Sequence, residues 1–579
     1  MYKNLIYSLL LTTLMVGCAS DLEHIKVSEQ PSTFCNPLDL SYRFTVGGGY
    51  GREAADPTIV YHKGDYYLFA SKSSGYWYSS DLASWTFVES YEIPTEDYAP
   101  TAISMRDTMF FMASSPKTKG NRVFKSADPK SGKWELTCEG INLGVTDPAL
   151  YQDDDGKLYF YWGCSNRFPL YGVEMDPYTF QFIGEPKELV QSDCKNRGWE
   201  VVGDYNTEKD LEPWIEGAWM NKVNGKYYYQ YSAPDARHKS YSDAVMVADS
   251  PLGEFKLAPH NAFAAKAEGF TCGAGHGSTF DDTYGNMWHA GTSSISVKNR
   301  MERRLSLFPT FVDKDGHMYI HSRFGDYPTR VPKAKMSSPA DFETGWMLLS
   351  YNKAVEVSSQ LEGYPAENMV NEDIRTYWCA ESGSESEWAA VDLGEKYNIW
   401  AMQINFAEHD AEIRGRKKGI AHKYVVECSN NKKDWYTVDD ESASINDNTN
   451  NYIELAESIK ARYVRVRNVE VPGGKFTISG IRVFGLGEGE APDAVANFKV
   501  VRDSEDRRDV TLAWDNVEGA TGYNITYGVA PNMLYHNHIV YGATELTIRS
   551  LATQQPYYFT IESFNENGVS MHTEMVNAK

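Results

Sequence analysis

At 579 residues the chain exceeds what one hydrophobic core usually organises, so several domains are expected. Aromatics make up 13% of it, with 39 Tyr, 14 Trp and 45 Gly, a mix that favours strands and turns over helices. A formal net charge of −23 argues against a nucleic-acid partner, which needs a basic face, and otherwise describes a solvated acidic surface.

The first 18 residues carry an address. Lys3 precedes an apolar run from Leu5 to Val16, an export h-region too short for an ordinary membrane span. Its ending, Leu14-Met15-Val16-Gly17-Cys18, resembles a bacterial lipobox, in which Cys18 is lipidated and becomes the mature N-terminus. Plain secretion with a coincidental Cys is the alternative. Ala19 lacks the Asp of inner-membrane retention, and Asp21 and Glu23 loosely resemble the acidic tag of surface lipoproteins. The expected location is the outer membrane, periplasmic or surface face, with the lipid as sole membrane contact. The other seven Cys show no Cys-x-x-Cys spacing, so neither a zinc site nor a disulfide scaffold is indicated.

From 36 to 335 the chain repeats itself. Asp56 opens Asp-Pro-Thr-Ile-Val-Tyr before Gly-Asp-Tyr-Tyr-Leu-Phe; Asp147 opens Asp-Pro-Ala-Leu-Tyr before Asp-Gly-Lys-Leu-Tyr-Phe-Tyr. Glu216 opens Glu-Gly-Ala-Trp-Met before Asn-Gly-Lys-Tyr-Tyr-Tyr-Gln-Tyr. Each carboxylate precedes an apolar strand, a Gly-containing turn and an aromatic strand. Units at roughly 40–70-residue spacing suggest a β-propeller, and the length suits five blades better than seven. A β-sandwich with coincidental repeats is the alternative. Arranged radially, the three carboxylates converge on one axis, where like charges push pKa values apart and acid/base hydrolysis becomes available.

The pattern breaks into a linker-like stretch around Pro332 to Pro339. From 350 to 487, Trp388–Gly394, Ile399–Phe406, Lys423–Ser429 and Ala461–Arg467 alternate as sandwich strands and closely resemble the discoidin, or factor 5/8 type C, jelly roll. From 492 to 579 the segments Val510–Trp514, Ala520–Tyr527 and Tyr557–Ile561 resemble a fibronectin type III sandwich, with Trp514 and Tyr557 as core aromatics and spacing as its default job. The fold expected is therefore all-β: a five-bladed propeller and two sandwiches.

Order and spacing of the three acidic motifs resemble glycoside hydrolase family 43 over roughly the first half of the mature chain. That resemblance implies hydrolysis with inversion, in which an ionised carboxylate activates water and a protonated one, roughly 6.5–9.5 Å away, donates to the leaving oxygen. It implies Asp56 as general base and Glu216 as general acid. Asp147 would hold the acid in place and keep it protonated by like-charge repulsion. His276, within Gly-Ala-Gly-His-Gly-Ser, falls where the family has an axial His that contacts calcium through water; a His capping a tight turn is the alternative. Arg303 and Arg304 fall where the family has an Arg at the sugar or the acid, and strand alternation lets only one face the axis. Trp77, Trp162, Trp214 and Trp219 are candidates for sugar stacking, or equally for the core.

The implied activity is removal of terminal α-L-arabinofuranosyl residues from plant-type polysaccharide, by a monomer whose chemistry requires no cofactor. Two departures, Glu-Gly-Ala-Trp at the acid and a discoidin-like rather than lectin-like second domain, leave β-D-xylosidase and β-D-galactofuranosidase as alternatives. A non-catalytic glycan-binding lipoprotein is the reading from another class.

Overall fold

The computed structural model describes residues 22–47, 51–115, 120–141, 143–295, 299, 301–415 and 419–578; Cys18 and the export leader lie outside the described residues. Apart from five short 3₁₀ turns, every regular element among the described residues is a strand.

Residues 55–320 form five consecutive four-stranded antiparallel sheets, each running in chain order. Their opening strands are Ala55–His62, Thr101–Met105, Ala149–Gln152, Glu216–Val223 and Cys272–Asp281. Each opening strand packs against the next, and the fifth returns to the first, so the sheets close in a cycle. Two-residue turns set the first hairpin of three sheets: Lys63-Gly64, Arg106-Asp107 and Asn224-Gly225. Both residues of each have positive φ, the twist that matches antiparallel strands. Facing sheets bury their second strands on both sides, which is why Asp65–Ser71 and Leu158–Trp162 are buried throughout. Aromatic pairs cross these interfaces, Phe69 with Phe111 at 5.3 Å and Tyr161 with Tyr229 at 5.5 Å between ring centres.

The chain ends of this unit are tied together. Thr33–Phe34 pairs with Thr329–Arg330, and the Asn36 amide donates to the Leu307 and Gly325 carbonyls at 3.0 and 2.7 Å. The stretch predicted as a linker after Val331 belongs to this unit instead. Phe342 is buried edge-on to Trp288 at 5.2 Å, and the Asn286 side chain holds Ala334 and Met336. Its Pro and Ser residues mark turns of a packed return, not a free connector.

Residues 347–486 form one eight-stranded assembly around a core that includes Trp378, Phe476, Val426 and Ile481. Residues 499–578 form a three-stranded and a five-stranded sheet, whose shared core contains Trp514 and Tyr557. The last unit is not a spacer. Tyr535 stacks on Tyr319 at 3.8 Å, and its hydroxyl donates to Asp313 at 2.5 Å. Arg323 lies between Glu343 and Glu562, and Arg508 donates to the Cys194 carbonyl. No helix among the described residues is long and apolar enough to cross a membrane.

The strongest joint between the first two units is Arg52. It is fully buried, with Nε 2.5 Å from Glu408 and Nη1 2.5 Å from Asp447. Removing the guanidinium leaves Glu408 and Asp447 largely buried with the weaker His422 contacts, at 3.8 Å from its ring to Glu408 and 3.3 Å from its backbone N–H to Asp447. Arg52→Ala is therefore expected to destabilise the protein by about 3–5 kcal/mol, read as a lower unfolding midpoint in urea; an unchanged midpoint would contradict this joint.

Candidate active site

The residues that open the inner strands share an unusual backbone. Asp56, Asp147, Gly217 and His276 have φ of 54°, 52°, 66° and 45°, in the left-handed region that non-glycine residues rarely occupy. Bulges between Ala55 and Thr58, between Glu216 and Trp219, and at two points from Cys272 to Ser278 re-aim the local side chains. Hydroxyls fix two of the entries: Thr292 accepts from the Asp56 N–H at 2.8 Å, and Ser114 from the Asp147 N–H at 2.9 Å. Gly217 is dictated by space, since a Cβ there would lie 2.3 Å from the Ser232 hydroxyl and 3.0 Å from the His276 Cα. Strain of this kind concentrates where structure must aim chemistry.

The result is a chain of charges across the closing cycle. Asp56 Oδ1 lies 3.1 Å from Arg303 Nη1 and 3.4 Å from His276 Nδ1, while Ser71 donates to Oδ2 at 2.5 Å. His276 Nδ1 lies 3.8 Å from Asp147 Oδ2. Ligand atoms of Asp147, Cys164 and Glu216 lie within 4.8 Å of one another. Glu216 accepts from the Tyr241 hydroxyl at 2.5 Å and from the Cys164 thiol at 2.9 Å. His276 is held from behind, its backbone N–H donating to Ser232 and Asp243, and Gly277 N–H to Asp243.

Electrostatics divide the carboxylates. Burial pushes Asp56 up, but Arg303, His276 and the Ser71 hydroxyl outweigh it and hold the carboxyl below its ordinary value. Burial also drives Asp147, which His276 opposes and Glu216 and Asp56 reinforce, so that its carboxyl rises to about 7. For His276 burial disfavours the charged ring, yet Asp56, Asp147 and Glu216 raise it above its ordinary value. One carboxyl held down, one pushed up and one imidazole raised by its acidic neighbours thus share a small volume.

The structure separates the two arginines. Arg303 joins Asp56 to Glu53, while Arg304 points the other way, over the Tyr42 ring at 4.8 Å and onto the Arg52 carbonyl. Three Trp candidates lie away from the carboxylates. Trp77 is fully buried beside Phe87, and Trp162 stacks on Phe160, Tyr171 and Phe182. Trp219 points along the inner strand and donates to the Thr279 carbonyl. Exposed rings do occur on loops at the end where Glu216 emerges: Tyr98, Phe168, Tyr205 and Trp214. Of these, only Trp214 stood out in the sequence. Sequence reasoning also missed Glu53, Ser71, Cys164 and Tyr241, which contact Arg303, Asp56 and Glu216 from other strands or loops. Ser71, at the end of the Asp65–Ser71 strand, Glu53, three residues before Asp56, and Cys164, two residues after Trp162, sat beside motifs, and only Tyr241 did not.

The calcium expected near His276 is one contacted through water. A calcium ion takes about six to eight oxygens; the ring lies 3.4 Å from Asp56 and 3.8 Å from Asp147, so it is not a direct ligand and a calcium on the axis would meet it only through water. The cluster that could hold a metal is Asp147, Cys164 and Glu216.

Comparison with known proteins agrees with this geometry. Residues 51–320 match glycosyl hydrolases family 43, and residues 354–483 match the F5/8 type C domain. Five cyclic sheets and an acidic centre, within those bounds, define a family-43-like glycosyl hydrolase domain followed by an F5/8 type C domain. A β-D-galactofuranosidase of Aspergillus niger is 28% identical over 134 residues, 23% of this chain and 33% of its own. A xylosidase/arabinosidase of Butyrivibrio fibrisolvens is 25% identical over 276 residues, 42% of this chain and 50% of its own. The chain thus spans a third to a half of these relatives. A solved glycoside hydrolase aligns over 74% of this chain and 97% of its own, at 17% identity and a TM-score of 0.46.

The raised Asp147 carboxyl has a consequence for stability. Between its ordinary value of 3.8 and about 7 the folded chain keeps a proton that the unfolded chain releases. Stability is therefore lost as pH rises through that window. Asp147→Asn should unfold at a higher temperature than wild type near about pH 8, and the gain should vanish by about pH 4. A thermal difference independent of pH would contradict the assignment.

Proposed function

We propose that the protein is an inverting exo-glycosidase that removes terminal α-L-arabinofuranosyl residues from plant-type glycans. The observation that carries this reading is the unequal partnering of Asp56 and Glu216. Asp56 is held ionised by Arg303 and His276, as a base that activates water must be. Glu216 has hydrogen-bond donors on both oxygens, Tyr241 and Cys164, which fix its orientation towards a leaving group. His276 and Asp147 stand between them, consistent with a gap that admits water. Asp147 is then the group that tunes the acid, and Arg303 contacts the base and the sugar.

In this reading the five cyclic sheets are the blades of a propeller, and the two later units are a jelly roll and a fibronectin type III sandwich. Exposed Tyr98, Phe168, Tyr205 and Trp214 supply apolar faces for sugar rings at the catalytic end. The Butyrivibrio relative is a xylosidase/arabinosidase and the Aspergillus relative a β-D-galactofuranosidase, so xylose and galactofuranose are the alternatives of the same class. A lipid on Cys18 would place a monomeric enzyme at the outer membrane. A glycan-binding protein without catalysis is disfavoured by the same observation. Binding alone has no use for three buried carboxylates whose mutual repulsion must be offset by Arg303 and His276.

The roles predict different responses to leaving group. Glu216→Gln should lose roughly 10²–10⁴-fold in kcat on unactivated glycosides and far less on aryl glycosides, which need little protonation. Asp56→Asn should lose activity on both, because water must be activated in either case. Assays of aryl α-L-arabinofuranoside, β-D-xyloside and β-D-galactofuranoside with wild type and both variants test the class and the sugar together. Equal, mild losses on every substrate would overturn the role assignment.

A further inference from the structure

Cys164 stands at the end of Leu158–Trp162, past a left-handed glycine, Gly163, with φ of 136°. That turn brings its sulfur to 2.9 Å from Glu216 Oε2, and sulfur, Glu216 and Asp147 ligand atoms fall within 4.8 Å of one another. Asp147 is weakly engaged for a buried carboxylate, with Ser114 at 3.4 Å from Oδ1 and His276 at 3.8 Å from Oδ2. Asp147 and Glu216 already serve the proposed hydrolysis; the soft Cys164 sulfur beside them is the donor that hydrolysis does not require.

From this geometry we propose that Asp147, Cys164 and Glu216 form a binding site for a zinc-class divalent cation, whose occupancy blocks the catalytic carboxylates. Zinc accepts this donor set. With bonds of about 2.3 Å to sulfur and 2.0–2.2 Å to oxygen, a tetrahedral centre sets sulfur and oxygen about 3.6 Å apart. The 2.9 Å contact needs to open by about 0.7 Å to reach that separation. The fourth position would fall to water, as in zinc sites with three protein ligands. Calcium and magnesium, which demand more oxygens and no sulfur, are not accommodated. On binding, the Cys164 S–H bond and the O–H bond of the acid Glu216 break, the S–Zn and O–Zn bonds form, and about two protons pass to the buffer; no electrons move. The metal site rests on the geometry alone, and the blocking of hydrolysis rests on the roles proposed above for Asp147 and Glu216.

The test is calorimetric titration of the full mature chain with zinc chloride near about pH 7.5, in two buffers of different ionisation enthalpy. Expected are one tight zinc, about two protons released per zinc (one from Cys164 and one from Glu216), and no response to calcium. Cys164→Ser should weaken binding more than the roughly 10–100-fold that loss of an outer-shell partner costs. Cobalt(II) should show thiolate charge-transfer absorption in wild type and none in Cys164→Ser. Cys138→Ser and Cys194→Ser, which alter the other partly exposed thiols, should bind as wild type. Should Cys164→Ser fail to fold, zinc must protect Cys164 of the wild type from iodoacetamide, read by mass spectrometry. Zinc affinity undiminished in Cys164→Ser, zinc lost instead with Cys138→Ser or Cys194→Ser, or an unprotected Cys164 would overturn the site. Activity assays then separate the two readings. Full hydrolysis in the zinc-bound enzyme upholds the site and counts against Glu216 as the acid, whereas active enzyme that binds no zinc overturns this inference alone.

Discussion

Crowding of like charge at the centre of the sheet cycle is the constraint on which the rest depends. Asp56, Asp147 and Glu216 are all at least about nine-tenths buried, and three such carboxylates could not be held together unopposed. Arg303 and His276 supply the opposing charge, but unequally: Asp56 contacts both, and Asp147 only the ring, at longer range. The asymmetry gives the centre distinct proton affinities without any difference in carboxyl chemistry. Each opposing group is itself braced, Arg303 by Glu53 and the His276 backbone by Asp243.

Holding that arrangement requires rigidity beyond the five sheets. The first unit is clamped on two sides. Arg52 buries its charge against Glu408 and Asp447 of the second unit, and Arg482 of the second unit donates to the Asp326 carbonyl of the first while pairing with Glu372. The third unit adds the Tyr319–Tyr535 stack and the Arg323 bridge. Arg375, from the second unit, reaches Asp204 at 2.5 Å and Ser294 at 3.3 Å, near the strand that carries Arg303. These contacts make the later units part of the platform rather than cargo on a tether.

Much of this was legible in the chain because it is written in local patterns. Asp-Pro, Glu-Gly and Asn-Gly report backbone conformation directly, so strand starts and turns could be read residue by residue. The second and third units were visible for the same reason, through alternation and the core positions of Trp514 and Tyr557. What escaped was set by distance in sequence. The choice between Arg303 and Arg304 depends on which strand face meets Asp56, some 250 residues away. Trp77, Trp162 and Trp219 look alike in sequence to the exposed Trp214, and only packing sorts them. The Pro- and Ser-containing stretch after Val331 read as a linker because its anchor, Trp288, lies on another strand.

The sequence by itself therefore determined an all-β chain, three repeated acidic strand entries and the identity of the carboxylates, since these follow from periodicity of two and from turn chemistry. Only the tertiary structure decided which groups surround each carboxylate: Ser71, Arg303 and His276 on Asp56, Cys164 and Tyr241 on Glu216. The reason is physical. A pKa or a ligand cluster is a property of the space between elements, and closing the sheets in a cycle creates that space from residues that are nowhere neighbours along the chain.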